Sequence, residues 1–125
     1  MQVAEQNLPN QEQEANKTFQ ELEKQKQELQ TNLDTINATI PTLQTQYNSV
    51  VEMLKDTTLT PEEKQMYEGQ KTTLENKINE LQGTKQTLEA GIKEIDDGIT
   101  TGKQQLEDGK KQIEQAKTEL EKQQQ

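Results

Sequence analysis

From Phe19 onward, apolar residues recur at steps that alternate strictly between three and four: Phe19, Leu22, Lys26, Leu29, Leu33, Ile36, Ile40, Leu43, Tyr47, Val50 and Leu54. From Tyr67 the same alternation runs through Lys71, Leu74, Ile78, Leu81, Lys85, Leu88, Ile92, Ile95, Ile99, Gly102, Leu106, Gly109, Ile113, Ala116 and Leu120. A repeat of 3.5 residues keeps one stripe of an α-helix facing a neighbour over many turns, which is the condition for a coiled coil. Only 26% of the 125 residues are hydrophobic and mean hydropathy is -1.21, so the chain lacks the apolar content of a thick globular core. The apolar residues it has are concentrated in the two seams. The pattern therefore predicts an all-α, elongated fold and argues against disorder.

Between the seams stands "DTTLTPEEK". Thr60 is placed to cap a helix by accepting from the amide of Glu63. Pro61 falls at the first helical position, where its missing N–H is harmless, and Glu62 and Glu63 suit the positive helix end. The threonines before them, and the bias of a residue preceding proline away from helix, predict that the first helix ends near Asp56. The expected architecture is a long antiparallel two-stranded coiled-coil hairpin: helix about 10–56, turn about 57–60, helix about 61–123. Residues 1–9, ahead of a start signal at Pro9 and Asn10, form a separate turn or a frayed extension. Pro41 lies outside the seam at a b position, and because the heptad phase crosses it unbroken, a kink is expected there and not a reversal. At the 1.5 Å rise of an α-helix, the first helix would be roughly 70 Å long, with no pocket for a small molecule.

Pairing residues whose numbers total 121 sets a against d throughout: Leu54 with Tyr67, Leu43 with Ile78, Leu33 with Leu88, Leu22 with Ile99. Four residues are expected to set that register. Phe19, the sole Phe, falls opposite Gly102, a volume match lost on slippage. Lys26 faces Ile95 and Lys85 faces Ile36, each with its stem on the seam and its ammonium directed outward. The flanking e and g positions are taken as mostly Gln, Asn and Thr, so charge pairing is expected to do little to set partner choice.

The functional classes that remain are narrow. A net charge of -9, with every cation a Lys, disfavours nucleic-acid phosphates and anionic membranes, and no apolar run is long enough for direct membrane insertion. Without Cys or His the chain has no thiolate, imidazole base or His-based metal site, and Ser49 has no His to activate it. "EIDDG" at 94–98 has paired carboxylates, yet the heptad continues through it, which suits a solvated helix face and not a calcium loop. No enzyme activity and no cofactor are expected. One patch departs from the polar pattern. Val51 and Met53 occupy e and g positions, and Leu59, Met66 and Tyr67 join them at the hairpin tip, either as cover for the loop or as a contact surface for a protein partner.

The phrase "IDDGITTGKQQLEDGKKQIEQAKTELEK", with glycine recurring around G-K-x-x-L/I-E units, resembles the extracellular coiled-coil insertions of FtsX/MacB-like ABC transporter permeases of Gram-positive bacteria. "YNSVVEMLKDTTLTPEEKQMYEGQKTTLENKI" looks like the tip of such an arm. The resemblance implies a single hairpin domain belonging to a larger membrane protein. It would stand on the extracellular side of the cell membrane as spacer, partner-docking or motion-transmitting element, while ATP hydrolysis occurs in a separate cytoplasmic subunit. A hairpin that brings its two ends together suits such an insertion. The alternative is a self-associating tether, in the cytoplasm or at the cell surface, that buries its seam in a homodimeric four-helix bundle.

Overall fold

The computed structural model describes the backbone of residues 2–124 and the side chains of residues 10–124. Two helices account for nearly all of it: α1, Gln2–Met53, and α2, Pro61–Gln124. The fold is all-α and consistent with the expected helical hairpin. Pro9 and Asn10, read from sequence as a helix start, lie within the helical span of α1; the side chains of residues 1–9 are outside the described set. Contacts group the chain into two compact units, residues 1–28 with 92–125, and Leu29–Gly91.

Within Leu29–Gly91, the buried residues are seam residues: Leu33, Ile36, Leu43, Val50 and Ile78, each 7–9% exposed. Ile40, Tyr47, Leu54, Tyr67, Leu74, Leu81 and Leu88 are half-buried, as expected where only two helices share a seam and each apolar side chain keeps one flank toward water. In the other unit, Ile99 is 6% exposed and Phe19, Leu22, Ile92, Ile95, Leu106 and Ile113 are half-buried. Toward the carboxyl end of α2 the seam positions Ala116 and Leu120 are exposed.

The chain carries many threonines, which are poor helix formers because their hydroxyls compete for backbone partners. Here the competition is settled inside the helix. Threonine hydroxyls, among them Thr35, Thr39, Thr42 and Thr45, donate to the carbonyl four residues earlier. Thr45 does so to the carbonyl of Pro41 itself, at 3.0 Å. Pro41 withholds an amide from the Asn37 carbonyl, but its side chain is exposed, and Ile40 and Leu43 beside it keep their places on the seam.

The turn is tied by side chains. The last turn of α1 tightens as Lys55 N donates to Glu52 O and Asp56 N to Met53 O, both at 3.2 Å. Asp56 Oδ1 then accepts from Thr58 N at 2.9 Å and Thr58 Oγ1 at 2.7 Å. Thr60 and Glu63 form the reciprocal cap: Glu63 N donates to Thr60 Oγ1 at 3.1 Å, and Thr60 N to Glu63 Oε1 at 3.4 Å. The helix thus ends at Met53, three residues before the expected Asp56. The carboxylate of Asp56 draws Thr58 into an Asx-type turn, which competes with one more helical turn.

Because proline in a helix interior costs about 3 kcal/mol relative to alanine, Pro41→Ala is expected to stabilise the chain by about 1–3 kcal/mol. Chemical denaturation followed by circular dichroism checks this; an unchanged midpoint would mean that the surroundings of Pro41 already compensate for the lost bond.

Candidate functional site

Each unit holds its own register. In the terminal unit, a Cβ added at Gly102 would lie 2.8 Å from Phe19 Cε1 and 3.3 Å from Cζ, so the Phe ring occupies the space a side chain would need. Lys26 Nζ meets Asp96 Oδ1 at 2.7 Å, Lys110 Nζ meets Glu12 Oε1 at 3.2 Å, and Lys103 Nζ lies 5.8 Å from the centre of the Phe19 ring. In Leu29–Gly91, Tyr47 Oη donates to Glu75 Oε1 at 3.0 Å, and a Cβ at Gly91 would lie 3.3 Å from Leu29 Cδ1. The numbers of the Phe19–Gly102 pair total 121, and the other five pairs fall within one of it.

These contacts follow a rule. Glu75, Asp96, Lys103 and Lys110 all occupy e positions of α2, and they reach the a positions Tyr47, Lys26, Phe19 and Glu12 of α1. Charge pairing across the helices, expected to contribute little, is thus supplied by the e row of α2. The expectation took the e and g positions to be mostly Gln, Asn and Thr, which does not hold for the e row of α2, where Glu68, Glu75, Glu89, Asp96, Lys103, Lys110 and Lys117 stand. Asp96 also shows what the "EIDDG" carboxylates do: they lie on a continuous helix, and one of them anchors Lys26. The Asp96 hydrogen bond, then its charge, hold the Lys26 ammonium above its ordinary pKa. Lys85 behaves differently, since its ammonium approaches Glu89 of its own helix, at 3.9 Å.

The tip residues divide. Met53 and Met66 are 48% and 51% exposed, while Val51, Leu59 and Tyr67 are half-buried. Met53, Leu59 and Tyr67 come together in an open cleft of about 640 Å³, with Ser49, Glu52, Asp56 and Glu63 completing its lining; Val51 and Met66 lie outside it. The three carboxylates were missed because Asp56 and Glu63 were read through their roles in the turn and Glu52 was not singled out, although their density in "VEMLKDTTLTPEE" is visible in the sequence. A second open groove, of about 740 Å³, is lined by Val50, Leu74 and Gly69 with Thr45, Ser49 and Thr73 among its walls. It is open partly because nothing lies within 4 Å of the place where Gly69 would carry a Cβ.

Among the described residues, no helix is long and apolar enough to cross a membrane. Comparison with protein-family models, curated proteins and solved structures finds no match to this chain.

Two outcomes are expected. Gly102→Ala gains about 1 kcal/mol of helix propensity but meets the Phe19 ring, so its effect should be at least about 1 kcal/mol more favourable in a Phe19→Ala background. Gly98→Ala, with open space around it, should stabilise in both backgrounds. Additive effects at Gly102 and Phe19 in a denaturation cycle would refute the packing. The hydrogen bonds from Thr58, side chain first, hold the Asp56 carboxyl below its ordinary value of 3.8. A depressed carboxyl pKa adds stability that is present above 3.8 and is lost as pH falls through the folded-state value. The stability difference between the wild type and Asp56→Ala should therefore be largest near neutrality and shrink in acid; a pH-independent difference would contradict the assignment.

Proposed function

We propose that this chain is a non-catalytic coiled-coil arm that engages a protein partner through its hairpin tip. The observation that carries this reading is the exposure of Met53 and Met66 at the turn of a chain whose other exposed positions are almost all polar or charged. Helix–turn–helix packing alone does not call for methionine at those positions, because Glu or Gln would serve the helix equally well. Flexible thioether side chains beside a half-buried Tyr suit a contact surface.

The setting that fits best is the extracytoplasmic insertion of an FtsX/MacB-like ABC transporter permease, on the strength of the glycine-punctuated repeats of α2 and the "TPEEK" turn. In that setting the arm acts as spacer, docking element or relay of motion, and catalysis resides in another subunit. No cofactor enters this reading.

A photoreactive residue at Met53, with one at the exposed Glu107 as control, tests the proposal in the producing cell. Adducts to a second protein from position 53 and none from position 107 support a docking tip. Adducts only between copies of this chain would favour the self-associating tether, and no adduct from position 53 would end the tip reading. Val51→Gln with Met53→Gln should then weaken the captured interaction by about 1–3 kcal/mol while circular dichroism and melting stay unchanged. Loss of binding that merely tracks unfolding would show that these side chains only cover the turn.

A further inference from the structure

The tip cleft pairs an apolar floor with a rim of one sign. Met53, Leu59 and Tyr67 supply the floor, and the carboxylates of Glu52, Asp56 and Glu63 stand around it; among the described residues lining the cleft there is no ammonium. Each carboxylate has a local role that fixes its position. Glu52 Oε2 meets Lys55 Nζ at 3.1 Å, Asp56 accepts both bonds from Thr58, and Glu63 completes the cap of α2. Since a carboxylate oxygen accepts more than one bond, all three retain acceptor capacity toward the cleft.

We infer that the cleft receives a basic amphipathic segment of a partner protein, an apolar side chain seated on Met53, Leu59 and Tyr67 with Lys or Arg side chains on the Glu52, Asp56 and Glu63 rim. The inference rests on the docking reading above and adds the chemistry of the partner. An uncharged apolar partner would cover three carboxylates without replacing the water they lose, at a cost in desolvation. An acidic partner, an anionic lipid surface or a nucleic acid meets repulsion from the rim and from the net charge of -9. A second copy of the tip would bring the same three carboxylates. A cation adjoining an apolar anchor satisfies both parts of the cleft, and the acidic surroundings speed its approach.

The test titrates the isotopically labelled full chain with three helical peptides of equal length, identical in their Leu face and carrying Lys, Gln or Glu elsewhere, read by amide chemical shifts. The Lys peptide should perturb residues 49–67 selectively. Its affinity should fall at least about tenfold in Met53→Gln/Leu59→Gln and in Glu52→Gln/Asp56→Asn/Glu63→Gln, substitutions that keep capping groups in place. It should fall again when salt shortens the screening length from about 10 Å to about 3 Å. Glu94→Gln/Asp97→Asn, which removes two exposed carboxylates from the other unit, should leave affinity unchanged.

Three results overturn the inference: equal or tighter binding of the Gln or Glu peptide at the tip, Lys-peptide binding indifferent to the rim substitutions, or no perturbation of the tip by any peptide. The first of these leaves tip docking standing and replaces its partner class. In the other two, the cross-linking experiment decides the docking reading independently.

Discussion

A heptad seam is nearly indifferent to sliding. Moving one helix past the other by seven residues restores an apolar residue opposite an apolar residue, so burial alone selects no unique structure. In the terminal unit two contacts together remove that degeneracy: sliding one heptad one way drives the Phe19 ring from the bare backbone of Gly102 onto Ile95, and sliding the other way sets it against Gly109 but brings Lys103 to the place where Asp96 meets Lys26. In Leu29–Gly91 the hydrogen bond from Tyr47 to Glu75 adds a cross-helix tie. Everything else described above, from the ion pairs of the e row to the placement of the tip side chains, presupposes that the register is right.

The polar contacts show how a weakly hydrophobic chain obtains specificity without a thick core. Lys26 sits at a seam position that an apolar residue would fill with a larger gain in burial. Its stem still covers apolar surface, and its ammonium finds Asp96 at 2.7 Å, whereas a slide toward Gly109 would set it beside Lys103. Such surface pairs add little stability, but a wrong pairing strands the charge. The half-buried seam and the exact pairs are complementary: the first supplies cohesion along the helices, and the second selects the alignment.

Most of this fold was legible from residue spacing. The seams, the start of α2 at Pro61, the Thr60 cap and the Phe19–Gly102 match all follow from rules that act over a few residues or from one periodicity. The features that escaped are those in which two local rules compete or two distant positions meet. The end of α1 at Met53 reflects Asp56 preferring Thr58 to another helical turn, a contest that propensity leaves undecided. The e-row contacts require knowing which flank of α2 faces α1, information that emerges only once both helices are built. At the tip, the apolar residues stood out against a polar pattern, whereas Glu52, Asp56 and Glu63 were ordinary in a chain that is 30% charged until the turn gathered them around Met53.

The turn between the helices uses no residue in the left-handed region, and no glycine. Its closure depends on hydrogen bonds among Asp56, Thr58, Thr60 and Glu63, all within eight residues of one another. Bringing such near neighbours together costs little loop entropy, and each later pair, Tyr47 with Glu75, then Leu29 with Gly91, then Phe19 with Gly102, joins positions further apart along the chain. Once the tip has closed, every one of those pairings is reached by adding a short increment to helices already aligned. A chain arranged in this way can close as a zipper from the turn outward, so that each pairing regained after a local opening is guided by the neighbour nearer the turn.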